Sequence, residues 1–479
     1  MDKNKVITSL IYKTIESLSV KGIGFVIGIV LARLLSPDYF GLLALIMVFV
    51  NLSQVLVEGG LTDALIQKQD VSDVDFSVVF YLSLGIALIN FTVLFLVAPF
   101  ISSFYNTTEL VWPLRVMAFA LIVGVYNSVL RTKLVREMKF KTMMYCGLLT
   151  TIVSGVIGII TAYLGWGLWA LVLYSISSTI VMTIILTIIV KWHPKLVFSI
   201  ESAKALFSFG YKMLISSFLC SIYSDIRSLL IGKFYSTADL GYYNRGQQYP
   251  QLLATTLNGT IQSVMFPVLA KEQDNESLFV SILQRSLSLG AFIIFPVVLF
   301  LAGSATAIVT ILLTEKWLPC VVFLQILCFG EMTVPLTSMC LVSIKSSGRS
   351  DIYMRLELTR RIIMLVILIG SLVFFKSIKA IAIGYSLSAF IDVFIISFST
   401  NKLFGLGICD IIKSTWKTLM SSIIMFFIVY LISLLQINVW LMFFIQILTA
   451  LIVYLILNTI LKNDIFDYLR NNVVCRMKR

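Results

Sequence analysis

The sequence contains little charge and few groups that carry out acid–base or metal chemistry. Only 13% of its 479 residues are Asp, Glu, Lys or Arg, whereas soluble domains carry about 25%. Hydrophobic residues make up 59%, and the mean hydropathy is +0.98. A soluble protein with so large an apolar core would need polar segments to cover it, and the chain has almost none. The composition therefore predicts a polytopic, all-α membrane protein.

Residues that commonly bind metals or carry out catalysis are scarce. The single histidine, His193, has no Cys or carboxylate neighbour, and its KWHPK segment is typical of a turn at headgroup level. The seven cysteines show no CxxC or Cys/His spacing and are typical of small core residues. The sequence has no P-loop, GxSxG or HExxH motif. We therefore expect no metal, no cofactor and no enzymatic activity.

Four aspartates share one predicted inner loop, residues 60–76. They are Asp63, Asp70, Asp73 and Asp75, and Lys68 lies among them. A divalent cation could bind such a group, but EF-hand spacing and a bidentate Glu are both missing. A solvated loop is the favoured interpretation, and a cation site is the alternative.

Long apolar segments divide the chain into about fourteen predicted transmembrane spans, each about 20 residues long or longer. They fall near residues 9–35, 39–59, 77–104, 112–130, 142–164, 167–190, 203–231, 239–267, 279–302, 319–344, 352–375, 378–401, 411–435 and 438–461. An even number of spans places both termini on one side. Lys and Arg are concentrated in the loops of that side, so we expect both termini to be cytoplasmic. This orientation signal explains much of the net charge of +13, which requires no nucleic-acid partner.

A short motif occurs twice and indicates an internal duplication. In residues 32–41 (ARLLSPDYFG) and 232–241 (GKFYSTADLG), an apolar segment ends at a basic residue, a Ser/Asp turn follows, and Gly begins the next apolar segment. The duplication predicts an N-terminal six-helix lobe at 1–200, a second six-helix lobe at 201–404, and two additional helices with a tail at 405–479. Transporters built from such parallel repeats bind their substrate between the halves.

The basic residues of the two motifs, Arg33 and Lys233, are predicted to lie on the outer side, against the general distribution of positive charge. We expect them to guard or anchor the outer mouth of a cavity, and therefore to act as a gate.

Some charged residues lie deep within predicted spans, where a charge costs about 2.5–3.5 kcal/mol unless it has a partner or a water-filled cavity. The deep basic residues are Lys21, Lys212, Arg360 and Arg361. Basic residues facing each other across a lobe interface would form a cationic cavity. The deep acids Glu331 and Asp392 could neutralise an arginine or bind a coupling proton or sodium ion, and both interpretations remain open.

Several segments together resemble the polysaccharide transporter family. They are ARLLSPDYFGLLAL, GLTDALIQKQD followed by DVDFSVVF, RTKLVREMKF, GWGLWALV, LGYYNRGQQYP and SSGRSDIYMRLELTRR, in this order. The likeness covers about residues 5–400. The family comprises lipid-linked oligosaccharide flippases of bacterial O-antigen, capsule and exopolysaccharide assembly, within the superfamily that includes multidrug and toxin extruders.

The resemblance implies two six-helix lobes around a central cavity, with two added helices, in the bacterial inner membrane. It implies that an undecaprenyl pyrophosphate-linked repeat unit crosses that membrane by alternating access through a basic, wet cavity. From this resemblance we assign the lining of the cationic cavity, and thus substrate binding, to Lys21, Lys212, Arg360 and Arg361. Arg245 of the YYNRG segment is a further candidate. Membrane lipids, and H+ or Na+, are the other expected partners of a monomer.

Two other function classes remain open. A cation-coupled drug antiporter of the same superfamily would favour an acid in its cavity, because its substrates are often cations. Basic residues outnumber acids in the predicted spans, which argues against it. A membrane polysaccharide polymerase or glycosyltransferase would need a large outer loop or an acid cluster, and the predicted outer connections are short. The flippase is therefore the favoured prediction.

Overall fold

The structure, a computed structural model, is described for residues 3–273, 275–435, 437–468 and 470. Side chains are described from residue 18 onward, apart from positions 205, 209, 212, 276 and 350. Within these ranges, every regular element is a helix. The predicted all-α fold is confirmed.

The helices follow one another with short connections. In chain order they are α1 (Lys3–Leu34), α2 (Pro37–Glu58), α3 (Leu61–Gln67), α4 (Asp73–Tyr105), α5 (Val111–Arg136), α6 (Phe140–Tyr163), α7 (Leu168–Val190), α8 (Ile200–Phe234), α9 (Thr237–Lys271), α10 (Glu276–Gly303), α11 (Ala305–Leu313), α12 (Cys320–Glu331), α13 (Val334–Ser346), α14 (Ser350–Gly370), α15 (Ile378–Phe404), α16 (Ile408–Ser433) and α17 (Val439–Ile460). Short 3-10 helices cover Thr108–Leu110 and Glu315–Trp317, and a π-helix, Ser371–Phe375, extends α14.

Thirteen of the described helical segments are long and apolar enough to cross a membrane, by length and composition. They match the predicted spans from the second onward, with ends shifted by up to ten residues. The first predicted span falls within α1, whose N-terminal side chains lie outside the described residues. Large apolar side chains such as Phe374, Phe398 and Tyr163 are exposed on these helices, as expected where lipid rather than water surrounds them.

Proline and glycine set the two ends of α2. Pro37 lies in its first turn, where a backbone N–H would have no acceptor within the helix, so the N–H that proline lacks is not needed there. At the other end, Gly59 and Gly60 have φ angles of 52° and 68°, a left-handed backbone that glycine adopts without a Cβ clash. A Cβ added to Gly60 would also collide with the carbonyl oxygen of Gly210 in α8. Glycine therefore allows both the sharp corner and the close approach of α8.

The predicted inner loop 60–76 contains α3 and is more ordered than a solvated loop. Asp63 and Asp70 are exposed, but Asp75 is buried. The Asp75 carboxylate accepts hydrogen bonds from Lys68 Nζ at 2.8 Å and from Ser202 Oγ at 2.6 Å. Among the described residues, no group of three or more His, Cys, Asp and Glu side chains could hold a metal ion.

The chain separates into two compact units, Met1–Gly241 and Tyr242–Arg479. Within the first unit, α8 packs on α2, α3 and α4. Gly232 of α8 lies so close to Leu45 of α2 that an added Cβ would collide with the leucine side chain. The predicted lobes at 1–200, 201–404 and 405–479 concern a duplication of the sequence, and they stay a prediction.

The last two helices pack within the second unit, where α16 contacts α10 and α17. Buried polar side chains hold them in place. Gln446 Nε2 donates to the carbonyl of Val429 at 3.1 Å, and Asn463 Nδ2 donates to Thr418 Oγ1 at 2.9 Å. Because lipid supplies no hydrogen bonds, such groups must be satisfied by neighbouring helices.

Candidate functional site

A break divides one candidate span of the second unit into α12 and α13. Helix α12 ends at Glu331 and α13 begins at Val334, in the middle of the apolar segment Cys320–Ser346. Pro335 lies in the first turn of α13 and has no N–H to donate to the carbonyl of Glu331. Interrupted membrane helices are tolerated where the backbone lines a cavity or is buried in protein. The break therefore identifies this region as a candidate site.

Arg360 of α14 and Asp392 of α15 form an ion pair near this break. Arg360 Nη2 lies 2.9 Å from Asp392 Oδ2, and the two side chains are only 17% and 16% exposed. Arg360 Nη1 also lies 3.0 Å from Glu357 Oε1. The sequence left two roles open for Asp392, which were pairing with an arginine and binding a coupling ion. The structure shows the pairing, and ion coupling stays a prediction.

Arg361 uses the other oxygen of Glu357, because residues three and four positions apart lie on one face of a helix. Arg361 Nη2 lies 3.1 Å from Glu357 Oε2. The cluster thus combines two guanidinium groups with two carboxylates, those of Glu357 and Asp392. Its formal charges cancel, so the arginines add no net positive charge here.

A cavity of about 190 Å³ adjoins the cluster, and we call it the second-unit cavity. Besides the charged side chains, it is lined by Gly330, Thr333, Val334, Thr337, Met364, Tyr385, Ser388 and Ala389. Two buried atoms of the ion pair, Arg360 Nε and Asp392 Oδ1, have no hydrogen-bond partner within the described part of the chain. Because both atoms are buried, the polar lining of the cavity comes from the other atoms of these charged side chains and from Thr333, Thr337, Tyr385 and Ser388.

Glu331 lies at the end of α12 and is only 3% exposed. Its Oε1 accepts a hydrogen bond of 2.9 Å from the hydroxyl of Tyr385. Tyr385 also lines the second-unit cavity, so it connects Glu331 to the Arg360 and Asp392 side of the site. The structure therefore brings together three predicted residues, Glu331, Arg360 and Asp392, with Tyr385 between them. Ion coupling by Glu331 stays a prediction.

The other predicted substrate-binding residues lie elsewhere. Lys21 is exposed on α1 and makes no ion pair with any described residue. The side chain of Lys212 lies outside the described residues. Arg245 is buried on α9, where it donates to Gln248 Oε1 and its guanidinium carbon lies 5.6 Å from the Trp317 ring centroid.

The two duplicated motifs meet within the first unit. A Cβ added to Gly41 would collide with the carbonyl oxygen of Thr237, and one added to Gly241 would collide with that of Pro37. Thr237 Oγ1 donates to Asp38 Oδ1 at 2.9 Å. The starts of α2 and α9 are therefore in backbone contact.

The two basic residues of these motifs differ in their surroundings. Arg33 is exposed at the end of α1. Lys233 donates to the carbonyl of Phe104 in α4, and its Nζ lies 3.9 Å from the Phe104 ring centroid. Lys233 thus joins the end of α8 to the end of α4, which fits an anchoring role better than a free charge.

A second polar cavity, of about 270 Å³, lies between α2, α5 and α7 of the first unit. The sequence analysis did not identify this cavity, which Glu58 lines. Glu58 Oε1 accepts a 2.6 Å hydrogen bond from Gln54 Nε2. The spacing of Asn51, Gln54 and Glu58 on one face of a helix was a signal that could have indicated it.

A polytopic helical bundle with an interrupted span and charged side chains within its spans is typical of secondary transporters. Residues 30–322 match the family model described as a polysaccharide biosynthesis protein, and the chain belongs to that family. The resemblance predicted from its sequence segments is thereby confirmed.

Two curated relatives illustrate the family. Over 280 residues, the chain is 26% identical to the teichuronic acid biosynthesis protein TuaB of Bacillus subtilis (strain 168), with 57% of each chain covered. Over 333 residues, it is 24% identical to the lipopolysaccharide biosynthesis protein WzxC of Escherichia coli (strain K12), with 68% of this chain and 67% of that one covered. The match thus spans little more than half the length of the first relative.

Solved structures of other proteins share this fold. A lipid II flippase MurJ in an inward closed conformation superposes with a TM-score of 0.77 at 18% identity, covering 95% of this chain and 99% of that one. At this identity the likeness shows a shared fold.

Proposed function

We propose that the protein is a transporter rather than an enzyme, and that it flips undecaprenyl pyrophosphate-linked oligosaccharide repeat units from the cytoplasmic to the periplasmic face of the bacterial inner membrane. Alternating access moves the hydrophilic headgroup through the protein while the polyprenyl tail stays in lipid. The protein works as a monomer with both termini in the cytoplasm.

The observation that carries this proposal is a polar, charged cavity at an interrupted span, in a chain that belongs to a polysaccharide biosynthesis family. Charged groups are costly within a membrane and are retained where they serve a substrate or ion pathway. A sugar pyrophosphate is hydrophilic and needs such a pathway. A cationic drug would favour an acidic cavity, whereas here each acid of the Arg360 cluster is paired with an arginine.

Different residues serve different parts of this substrate. Lys21, which is exposed and unpaired among the described residues, attracts the pyrophosphate, together with Lys212. Arg360 and Arg361 bind the headgroup in the second unit. Arg245, which is buried beside Trp317, is a further substrate-binding residue outside the second-unit cavity.

The remaining predicted residues control the cycle. Glu331 and Asp392 couple transport to H+ or Na+, with Tyr385 positioning the Glu331 carboxylate. Arg33 and Lys233 belong to the outer gate, and the close approach of the Gly41 and Gly241 backbones supports this assignment.

The test is a flipping assay with the full-length chain in proteoliposomes that contain lipid-linked oligosaccharide from the source bacterium. Access of an added glycosidase reports how much substrate has crossed the bilayer. We expect time-dependent crossing that Lys21→Ala slows at least about tenfold, with exposed Lys413→Ala as the matched control. Crossing no faster than in protein-free liposomes, with uptake of a cationic dye instead, would support an antiporter and overturn the flippase.

A further inference from the structure

Three helices of the first unit direct polar side chains into one cavity of about 270 Å³, which we call the first-unit cavity. Its uncharged polar lining includes Asn51 and Gln54 of α2, Asn127 of α5, and Ser175 and Thr179 of α7. Residues three or four positions apart lie on one face of a helix, so the pairs on α2 and α7 each form a polar stripe. Polar groups within membrane helices are costly and are retained where they serve a function.

The first-unit cavity extends along a large part of α2. Its lining residues on this helix run from Met47 to Glu58, about 16 Å along the axis at about 1.5 Å per residue. The hydrocarbon core of a bilayer is about 30 Å thick. Glu58 ends α2 on the side that the sequence predicts to be cytoplasmic. A headgroup that enters from this side therefore meets a polar wall over about half of its path.

Several polar atoms of this wall are accessible and have no partner. Asn127 Nδ2, Ser175 Oγ and Thr179 Oγ1 make no hydrogen bond to any described residue, and they are not among the buried atoms that lack a partner. Gln54 donates to Glu58 through Nε2, which leaves its Oε1 as a further accessible acceptor. Asn127 Oδ1, by contrast, is buried and cannot contact a ligand. The accessible atoms thus comprise one amide donor, one amide acceptor and two hydroxyls.

The charged residues of the first-unit cavity carry opposite signs. Glu58 and Arg131 both line it, and Arg131 is exposed. The carboxylate of Glu58 repels an anion, and the guanidinium group of Arg131 repels a cation. Their formal charges cancel, so the cavity favours a ligand that is polar and neutral.

A sugar ring matches this combination of donors and acceptors. Its hydroxyls both donate and accept, so they can satisfy the amide groups of Gln54 and Asn127 and the hydroxyls of α7. The oxygens of an ionised phosphate only accept and would leave Gln54 Oε1 without a donor. The volume of about 270 Å³ lies just below the roughly 300–1,000 Å³ of pockets for drug-sized ligands. It therefore suits one sugar ring rather than a whole repeat unit, and Val50 and Leu121 provide apolar surface for the C–H face of the ring.

We propose that the first-unit cavity binds one neutral sugar ring of the transported lipid through Gln54, Asn127, Ser175 and Thr179. This assignment rests on the proposed flippase function and specifies it. The four side chains distinguish rings by the positions of their hydroxyls, whereas Lys21 attracts the pyrophosphate. They are therefore specificity-determining residues.

The test compares two lipid probes on the full-length protein in nanodiscs. One probe is undecaprenyl pyrophosphate without sugar, and the other is the same lipid carrying the oligosaccharide of the source bacterium. The double variant Ser175→Ala, Thr179→Val removes two hydroxyls that bond to no described residue. It is expected to weaken binding of the sugar-bearing lipid at least about tenfold, a loss of about 1.4 kcal/mol. Binding of the sugar-free lipid is expected to stay unchanged.

The matched control for this variant is Thr183→Val on the same helix. The Thr183 hydroxyl donates to the carbonyl of Thr179 at 2.8 Å and lies outside the cavity, so its removal is expected to leave both affinities unchanged. Thermal unfolding midpoints of all variants identify any that fail to fold.

A steric variant tests the same wall from α5. The Cβ of Gly124→Ala would lie 3.7 Å from Gln54 Oε1, an ordinary contact that needs no backbone shift but covers this acceptor. It is expected to weaken only the sugar-bearing lipid. Gly85→Ala on α4, where nothing lies within 4 Å of the added Cβ, is the matched control.

The possible results separate the sugar assignment from the flippase function. Equal weakening of both lipids by the double variant and by Gly124→Ala would overturn the sugar assignment. Unchanged binding of the sugar-bearing lipid would overturn it too, and would mean that the cavity holds water only. A wild-type protein that binds neither lipid would overturn the proposed flippase function itself.

Discussion

The carboxylate of Asp75 accepts a 2.6 Å hydrogen bond from the hydroxyl of Ser202, although the two residues are 127 positions apart. This bond joins the start of α4 to the start of α8. The same carboxylate accepts a 2.8 Å hydrogen bond from Lys68 and caps α4 together with Ser72. One buried carboxylate therefore holds three segments of the first unit at the end that the sequence assigns to the cytoplasm.

Replacing this carboxylate is expected to destabilise the first unit. Asp75→Asn preserves the shape of the side chain but removes its charge, so the bonds from Lys68 and Ser202 weaken. Hydrogen bonds to charged groups contribute about 1.5–3 kcal/mol, and we expect a loss of stability in this range. Thermal unfolding in detergent measures it, with exposed Asp70→Asn as the matched control. Equal midpoints for the two variants would contradict a structural role of Asp75.

The contact between the duplicated motifs predicts a strong effect of a single methyl group. A Cβ in Gly41→Ala would collide with the carbonyl oxygen of Thr237 and lie 3.2 Å from the amide nitrogen of Gly241. Because both partners are backbone atoms, α9 must move away from α2. We expect transport to fall at least about tenfold, since backbone shifts in a packed site are costly.

The matched control for this change is Gly24→Ala in α1, where nothing lies within 4 Å of the added Cβ. There the exchange is expected to stabilise the helix by about 1 kcal/mol, because alanine has the higher helix propensity. Similar transport rates for Gly41→Ala and Gly24→Ala would show that the contact between the motifs has no part in the cycle.

Crosslinking tests whether this contact opens. Asp38 and Thr237 are joined by a hydrogen bond of 2.9 Å between their side chains, so cysteines at the two positions are expected to form a disulfide. If the motifs form the outer gate, oxidation of the Asp38→Cys and Thr237→Cys double variant blocks transport, and a reductant restores it. The single variants are the controls, in a background without the exposed Cys220 and Cys409. Full transport by the crosslinked protein would rule out gating by this contact.

The sequence predicted the spans well because the signal for a span is local. About 20 apolar residues in a row are sufficient, whatever they pack against. The corner at Gly59 and Gly60 and the order of Asp75 depend instead on contacts with α8. Ser202 and Gly210 supply those contacts from far along the chain, so no local pattern around residues 60–76 could indicate them.

In the candidate site too, local sequence signals predicted some features, and contacts between helices determined the others. Hydrophobicity placed Arg360, Arg361 and Asp392 within spans, and it could not choose between structural pairing and ion coupling. The choice depends on side-chain direction: Arg360 reaches Asp392 of the neighbouring helix, whereas Arg361 reaches back to Glu357 on its own helix. Pro335, a proline within an apolar segment, was a signal in the sequence for the break in this span, and the sequence analysis did not predict the break from it.

The last prediction concerns Glu331, whose carboxylate is buried and accepts a hydrogen bond from Tyr385. Glutamine cannot bind a proton or offer a charge to sodium, yet it can still accept that hydrogen bond. We therefore expect Glu331→Gln to abolish the response of transport to an imposed proton or sodium gradient, while slow equilibration of substrate continues. The proteoliposome assay measures both rates, with exposed Glu315→Gln as the matched control. A gradient response that survives in Glu331→Gln would remove Glu331 from the coupling mechanism and leave its pairing with Tyr385 as a purely structural contact at the break between α12 and α13.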